Sequence, residues 1–192
     1  KYFNEVINES PKSKYAEYSA NLILDIFNLK KDYEGLEKAA DKLLTIPGLE
    51  KTNLGLQIKS IKQRSAFKRA ETLEGGKDYV KAANSYLKFA KDNPKSPLLV
   101  SAFFNAAVNF EKGGELLTAL PLYVKVAEAK VTKSKDLKTN SQKFLGPLYE
   151  KLGMYPEAAT AYENFANEYP KDKDSLSYLF NASVIREAML YY

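Results

Sequence analysis

One pattern occurs three times in this chain, and its spacing restricts the fold more than any other feature. In KDYVKAANSYLKFAKDNP, residues 77–94, Ala82, Tyr86 and Phe89 recur at i, i+4 and i+7. That spacing puts them on one face of an amphipathic helix, which Pro94 stops. In GELLTALPLYVKVAEAK the stripe is Ala119, Tyr123 and Val126, and in GMYPEAATAYENFANEYP it is Ala158, Tyr162 and Phe165, closed by Pro170. Ala82 and Ala119 are 37 residues apart, and Ala119 and Ala158 are 39 apart. A period of that length belongs to arrays of helical hairpins, in which each pair buries its apolar face on its neighbours.

The remaining segments fit the same scheme. Residues 2–11, YFNEVINESP, match the tail YENFANEYP when Pro11 is laid on Pro170, so they read as the second helix of a repeat. A complete pair follows, with Ala20, Leu24 and Phe27 on its first helix and Leu36, Ala40 and Leu43 on its second. Gly35 inside that second helix costs about 1 kcal/mol against alanine. Leu36 and Ala82 are 46 residues apart, more than the 37 of the next interval, which predicts an extra turn or a long helix before Leu73. The stripe Ala66, Ala70 and Leu73 faces its hairpin partner, and Gly75-Gly76 ends the helix with a permissive backbone. Ser96-Pro97 reads as the N-cap and first position of the next helix, with Phe103, Ala107 and Phe110 inward and Gly113-Gly114 closing it. Pro121 predicts a helix that starts near Thr118 or is kinked, and Pro147 is a second internal proline. SLSYLFNASV near the end repeats SAFFNAAV, with Phe180 and Asn181 standing 76 residues after Phe104 and Asn105.

The reading is therefore all-α: one α-solenoid of antiparallel helix pairs over residues 1–192, part of a longer array. It comprises a half repeat at 1–13, repeats at 14–47, 48–95, 96–132 and 133–171, and a half repeat at 172–192. The half repeats leave apolar stripes uncovered, which predicts self-association or docking at the open ends.

Composition narrows the chemistry. No run of about 18 apolar residues exists, so no transmembrane segment is expected. The first residue is Lys1, so any targeting segment has been removed or was never included. The chain has no Cys and no His, which removes disulfides, thiol catalysis, thiolate metal sites and the commonest general base. Neither a metal nor a cofactor is expected. The glutamates Glu71, Glu111 and Glu150 recur one per repeat, which the repeat itself explains, whereas a catalytic carboxylate pair needs contrasting environments. The glycine pairs end helices instead of opening them, so no phosphate-binding loop is present. The chain reads as a non-enzyme.

The pattern Asp78-Tyr79-x-x-Ala82-x-x-x-Tyr86-x-x-Phe89-x-x-x-x-Pro94 resembles the second helix of a tetratricopeptide repeat. The small residue and aromatic of the first helix are matched by Ala107 with Phe110 and by Gly146 with Tyr149. The physics is independent of the name: a small residue lets two helices approach, and a large aromatic fills the space beside it. This resemblance implies a right-handed superhelix that binds a protein or peptide in a groove lined by the first helices. Its groove positions fall on Arg64, Phe67, Lys68, Glu71 and Glu74; on Ser101, Phe104, Asn105, Val108 and Glu111; on Asn140, Lys143, Phe144, Pro147 and Glu150; and on Ser177, Phe180, Asn181, Val184 and Glu187. Phenylalanine, amide and carboxylate on adjacent ridges suit a peptide with apolar anchors and a few basic residues. Asn105 fits one position of the chaperone-tail clamp of this family, but Phe67 and Glu71 stand where lysine and asparagine are needed, so a chaperone C-terminal carboxylate is not expected.

Tyr162-x-x-Phe165-x-x-x-Tyr169-Pro170, with Pro-Lys following the helices at Pro11, Pro94 and Pro170, is similar to repeats of bacterial cell-envelope proteins. It implies a periplasmic or cell-envelope setting, the cytoplasm being the alternative. The one marked charge feature is the basic run Lys51, Lys59, Lys62, Arg64, Lys68 and Arg69. It offers an alternative function, binding an anionic surface of nucleic acid or lipid headgroups. Arg64 and Lys68 lie opposite Lys62 and Arg69 on the helix, however, so the charges surround it and nucleic acid is not the expected partner. Lys133, Lys135 and Lys138 read as a solvated connection.

Overall fold

The computed structural model describes residues 2–130 and 135–191; the expected repeat boundary at 132/133 and Lys133 lie outside them. Among the described residues all regular structure is helical. The chain divides into two compact units, one ending at Gly76 and one beginning at Lys77.

The first unit contains α1 (Tyr2–Glu9), α2 (Lys14–Leu29), α3 (Tyr33–Leu44), a single 3-10 turn (Leu49–Lys51) and α4 (Asn53–Gly75). Both the extra turn and the long helix required by the 46-residue interval are present, α4 having 23 residues. Side-chain caps start three of these helices: Ser13 Oγ accepts from Ala16 N, Asp32 Oδ1 from Gly35 N, and Thr52 Oγ1 from Gly55 N. Gly35 is more than a propensity cost. A Cβ there would stand 2.7 Å from the Phe27 ring and also meet the Asp32 carboxylate, so the glycine makes room for the cap and for helix α2. The core joins Ala20 and Leu24 of α2 to Leu36, Ala40 and Leu43 of α3 and Ile58 of α4, as the apolar stripes require.

Among the described residues the second unit contains α5 (Tyr79–Asp92), α6 (Leu99–Lys112), α7 (Leu116–Ala127), α8 (Lys135–Lys151), α9 (Tyr155–Glu168) and α10 (Ser175–Ala188). Each packs on the next in sequence. The three stripes are buried as read: Ala82, Tyr86 and Phe89; Ala119, Tyr123 and Val126; Ala158, Tyr162 and Phe165. Tight approach occurs at Gly146, where a Cβ would lie 2.5 Å from the Tyr162 ring.

Helix ends depart from the sequence reading in three places. α6 begins at Leu99, and Ser96 and Pro97 precede it: the Ser96 carbonyl accepts from Leu99 N and its Oγ from Leu98 N, so consecutive turns absorb residues 93–98. At the end of α4, Gly76 has φ −78, and the left-handed residue is Lys77 with φ 63. Lys31, Gly114 and Gly153 hold the same place after α2, α6 and α8, with φ 55, 82 and 71. The turn geometry is thus common to all four, and glycine fills it in two. Finally, α7 begins at Leu116 and runs through Pro121, before the expected start at Thr118. The carbonyl deprived of its donor by Pro121 belongs to Leu117, which is exposed to solvent.

Pro147 is handled differently. It lies inside α8 and cannot donate to the Lys143 carbonyl four residues earlier. The Tyr178 hydroxyl of α10 donates to that carbonyl instead, at 3.0 Å.

Candidate protein-binding face

The expected groove residues divide between the two units. Arg64, Phe67 and Glu71 stand on α4, and the other eight on α6, α8 and α10. In the first unit, Arg64 lines a groove of about 190 Å3 with Lys68, with Asn21, Asp25 and Asn28 of α2, and with Tyr33 of α3. Arg64 donates to Ser60 Oγ at 3.3 Å, leaving its charge without a carboxylate partner among the described residues. Phe67 is half-buried, and Glu71 is exposed and paired with Lys68 at 2.6 Å.

In the second unit, the structure brings aromatic side chains of neighbouring first helices together. Phe104 of α6 stacks beside Phe144 of α8 with ring centroids 6.3 Å apart, and Tyr123 of α7 supports both, at 6.1 Å and 5.5 Å. Phe104 and Val108 are half-buried against the core, whereas Phe144 remains 39% exposed. Phe180, the counterpart of Phe104 on α10, is 66% exposed. Half-buried Asn105 accepts, through its carbonyl, from the Asn109 side chain at 2.8 Å, and the Asn181 amide hydrogen-bonds the Tyr162 hydroxyl. Leu176, Leu179 and Val184 extend the apolar surface of α10. In the first unit, Tyr15, Tyr18, Leu22, Ile26 and Leu29 form an exposed stripe on α2.

Two expected ligand-binding residues hold the fold together. Glu111 accepts from the Tyr123 hydroxyl at 3.0 Å and pairs with Lys151 at 2.7 Å. Glu150 accepts from Tyr162 at 2.8 Å in the same way. Burial, together with the adjacent carboxylates, pushes both tyrosine pKa values well up. The signal was present as Glu followed twelve residues later by a stripe tyrosine, a spacing that Glu71 does not share. Lys143 bonds Asp174 at 2.5 Å and Asp172 at 2.9 Å, and the Asp174 bond chiefly raises its pKa. Its ammonium therefore fastens α8 to the turn before α10, and its carbonyl carries Tyr178.

The basic run is partly neutralised. Lys62 pairs with Asp41 and Arg69 with Glu37, both on α3, while Lys68 pairs with Glu71. Lys138 pairs with Glu168 at 3.5 Å, so it belongs to the α8–α9 contact and not to a connection. Among the described residues, no group of three or more acidic side chains could hold a metal ion, and no helix is long and apolar enough to cross a membrane.

No curated protein matches the chain. Among solved structures, the crystal structure of BtubC (BKLC) from P. vanneervenii is similar at 16% identity and a TM-score of 0.46, over 100% of this chain and 88% of that one. The tetratricopeptide repeat family matches residues 64–96 and 145–172, the second running from α8 through α9 and carrying the Gly146–Tyr162 contact. Tetratricopeptide repeats are therefore present at these two places.

Proposed function

We propose that the protein is a non-catalytic scaffold that binds a segment of another protein along the aromatic face of α6, α8 and α10. Tetratricopeptide repeats mediate protein–protein interactions. The observation that carries this finer reading is the Phe104–Phe144 pair, held in place by Tyr123 and leaving Phe144 partly exposed, with Phe180 exposed at the corresponding position on α10. Rigid aromatic anchors on a preformed surface are what a peptide's apolar side chains use. Asn105 and Asn181 supply amides beside them. Arg64, Phe67 and Glu71 belong to α4 of the first unit and form a separate candidate surface.

Phe144→Ser and Phe180→Ser should abolish partner capture in a pull-down while leaving the helical circular dichroism spectrum unchanged. Retained capture by the folded double variant would overturn the reading. The exposed stripes of α2 and α10 support self-association as a second property, which light scattering over a concentration series checks; a monomer at every concentration would refute it. The reading extends to a bacterial cell-envelope complex through the Tyr162, Phe165, Tyr169 and Pro170 repeat variant. Recovery in the cytosolic fraction of the native host would refute that extension.

A further inference from the structure

A cleft of about 460 Å3 lies between α7 and α9, with Gln142, Leu145 and Tyr149 of α8 as its floor. It faces away from the aromatic surface, since Phe144 stands about 200° round the helix from Gln142. Its rims carry Glu128, where α7 ends, and Glu157, in the first turn of α9. Among the described residues neither carboxylate has an ion pair or a side-chain hydrogen bond. Both stand near the half-buried Tyr149, whose pKa is pushed up by burial, then by Glu157 and by Glu128.

The equivalent space one repeat earlier shows what such a cleft holds. Thirty-nine residues back, Gln142 corresponds to Phe103, Ala161 to Leu122 and Asn164 to Lys125. There the Lys125 ammonium stands 4.0 Å from the centroid of the Phe103 ring, and Leu122 packs against the core. In the later repeat these give way to smaller, uncharged side chains. Gln142 is also drawn aside, donating to Glu168 at 2.7 Å and accepting from Tyr169 at 2.6 Å. The rim becomes acidic as well, with Glu128 in the place of Lys91, at the 37-residue interval that relates α7 to α5, and Glu157 in that of the neutral Thr118. The later cleft therefore lacks counterparts of the Phe103 ring and the Lys125 cation, and offers two unpaired carboxylates to receive a cation.

We infer that the α7–α9 cleft binds a segment of a protein partner presenting an aromatic or aliphatic side chain beside a lysine or arginine. Two side chains of one segment supply what Phe103 and Lys125 supply in the earlier repeat. The cleft uses a different side of α8 from the proposed scaffold face, so either stands without the other.

The test is a 1H–15N titration of the whole chain with acetyl-Gly-Phe-Gly-Lys-amide and its glutamine counterpart. The lysine peptide should shift the amides of Leu145, Tyr149 and Ala161 and bind about fivefold tighter than the glutamine peptide, a difference reduced by added salt. Glu128→Gln with Glu157→Gln should erase that difference, and Ala161→Leu, which installs the side chain of the earlier repeat, should block both peptides. Equal binding of the two peptides to the unaltered chain, shifts confined to Phe144 and Phe180, or no shift at millimolar peptide would each overturn the inference, with no need for a variant to fold.

Discussion

Replacing Tyr178 by phenylalanine removes one hydroxyl, and its cost should depend on a proline on another helix. Pro147 leaves the Lys143 carbonyl without its intrahelical donor, and Tyr178 supplies the substitute at 3.0 Å. A neutral hydrogen bond contributes about 1 kcal/mol net, and a stranded, partly buried acceptor adds to the loss, so Tyr178→Phe should cost about 1–2 kcal/mol. For a domain of this size that lowers the melting temperature by about 2–4 °C per kcal/mol. Pro147→Ala returns an N–H to α8 and removes a residue disfavoured in helices by about 3 kcal/mol, so it should stabilise on its own. In that background Tyr178→Phe should cost less than about 0.5 kcal/mol, because the carbonyl is already satisfied. Thermal and urea unfolding of the four proteins, followed by circular dichroism, measures the coupling. An equal cost of Tyr178→Phe in both backgrounds would refute the compensation argument.

Three further outcomes follow from the same geometry. Gly146→Ala should destabilise by about 1–2 kcal/mol in urea unfolding, because the new methyl meets the Tyr162 ring, which Glu150 and the Tyr178 ring at 4.8 Å hold in place; the usual gain of about 1 kcal/mol for alanine in a helix would show that α9 yields freely. Lys31→Gly should stabilise by about 0.5–1 kcal/mol in the same assay, since φ 55 favours glycine, and a loss would mean that the lysine side chain compensates for its strain. Tyr123 and Tyr162 have folded-state pKa values raised above the ordinary 10.0, so their contribution to stability is whole below pH 10 and is lost as pH rises beyond it. Absorbance titration at alkaline pH should show the buried tyrosines ionising only as the helices unfold, and Tyr123→Phe should reduce their number by one.

The buried faces were legible because a helix repeats its environment every 3.6 residues, and an apolar stripe with that period has one way to be covered. Ala119, Tyr123 and Val126 are buried as the stripe requires. What a polar residue on the open face does was not legible in the same way. Lys143 occupies a groove position by count, yet its ammonium is held by Asp172 and Asp174, residues in a turn whose path the period does not specify. Glu111 illustrates the opposite case, because its tyrosine partner recurs at a fixed spacing that the sequence already displays. Turn conformations followed the fold more closely than the residue type: Lys31 and Lys77 take left-handed positions that glycine fills elsewhere, while Gly75 and Gly76 do not. The cleft beside Tyr149 arises from several substitutions between repeats, each unremarkable alone, and became visible only when the helices around it were in place.

The most direct test of the scaffold reading is site-specific photocrosslinking in the native host. A photoreactive phenylalanine analogue would be placed at position 144, at position 180 or, as a control on an exposed site of α5, at position 88. The account predicts a covalent adduct with the same partner protein from positions 144 and 180 and none from position 88. Adducts from position 88 alone, or none from 144 and 180 in a folded protein, would contradict it.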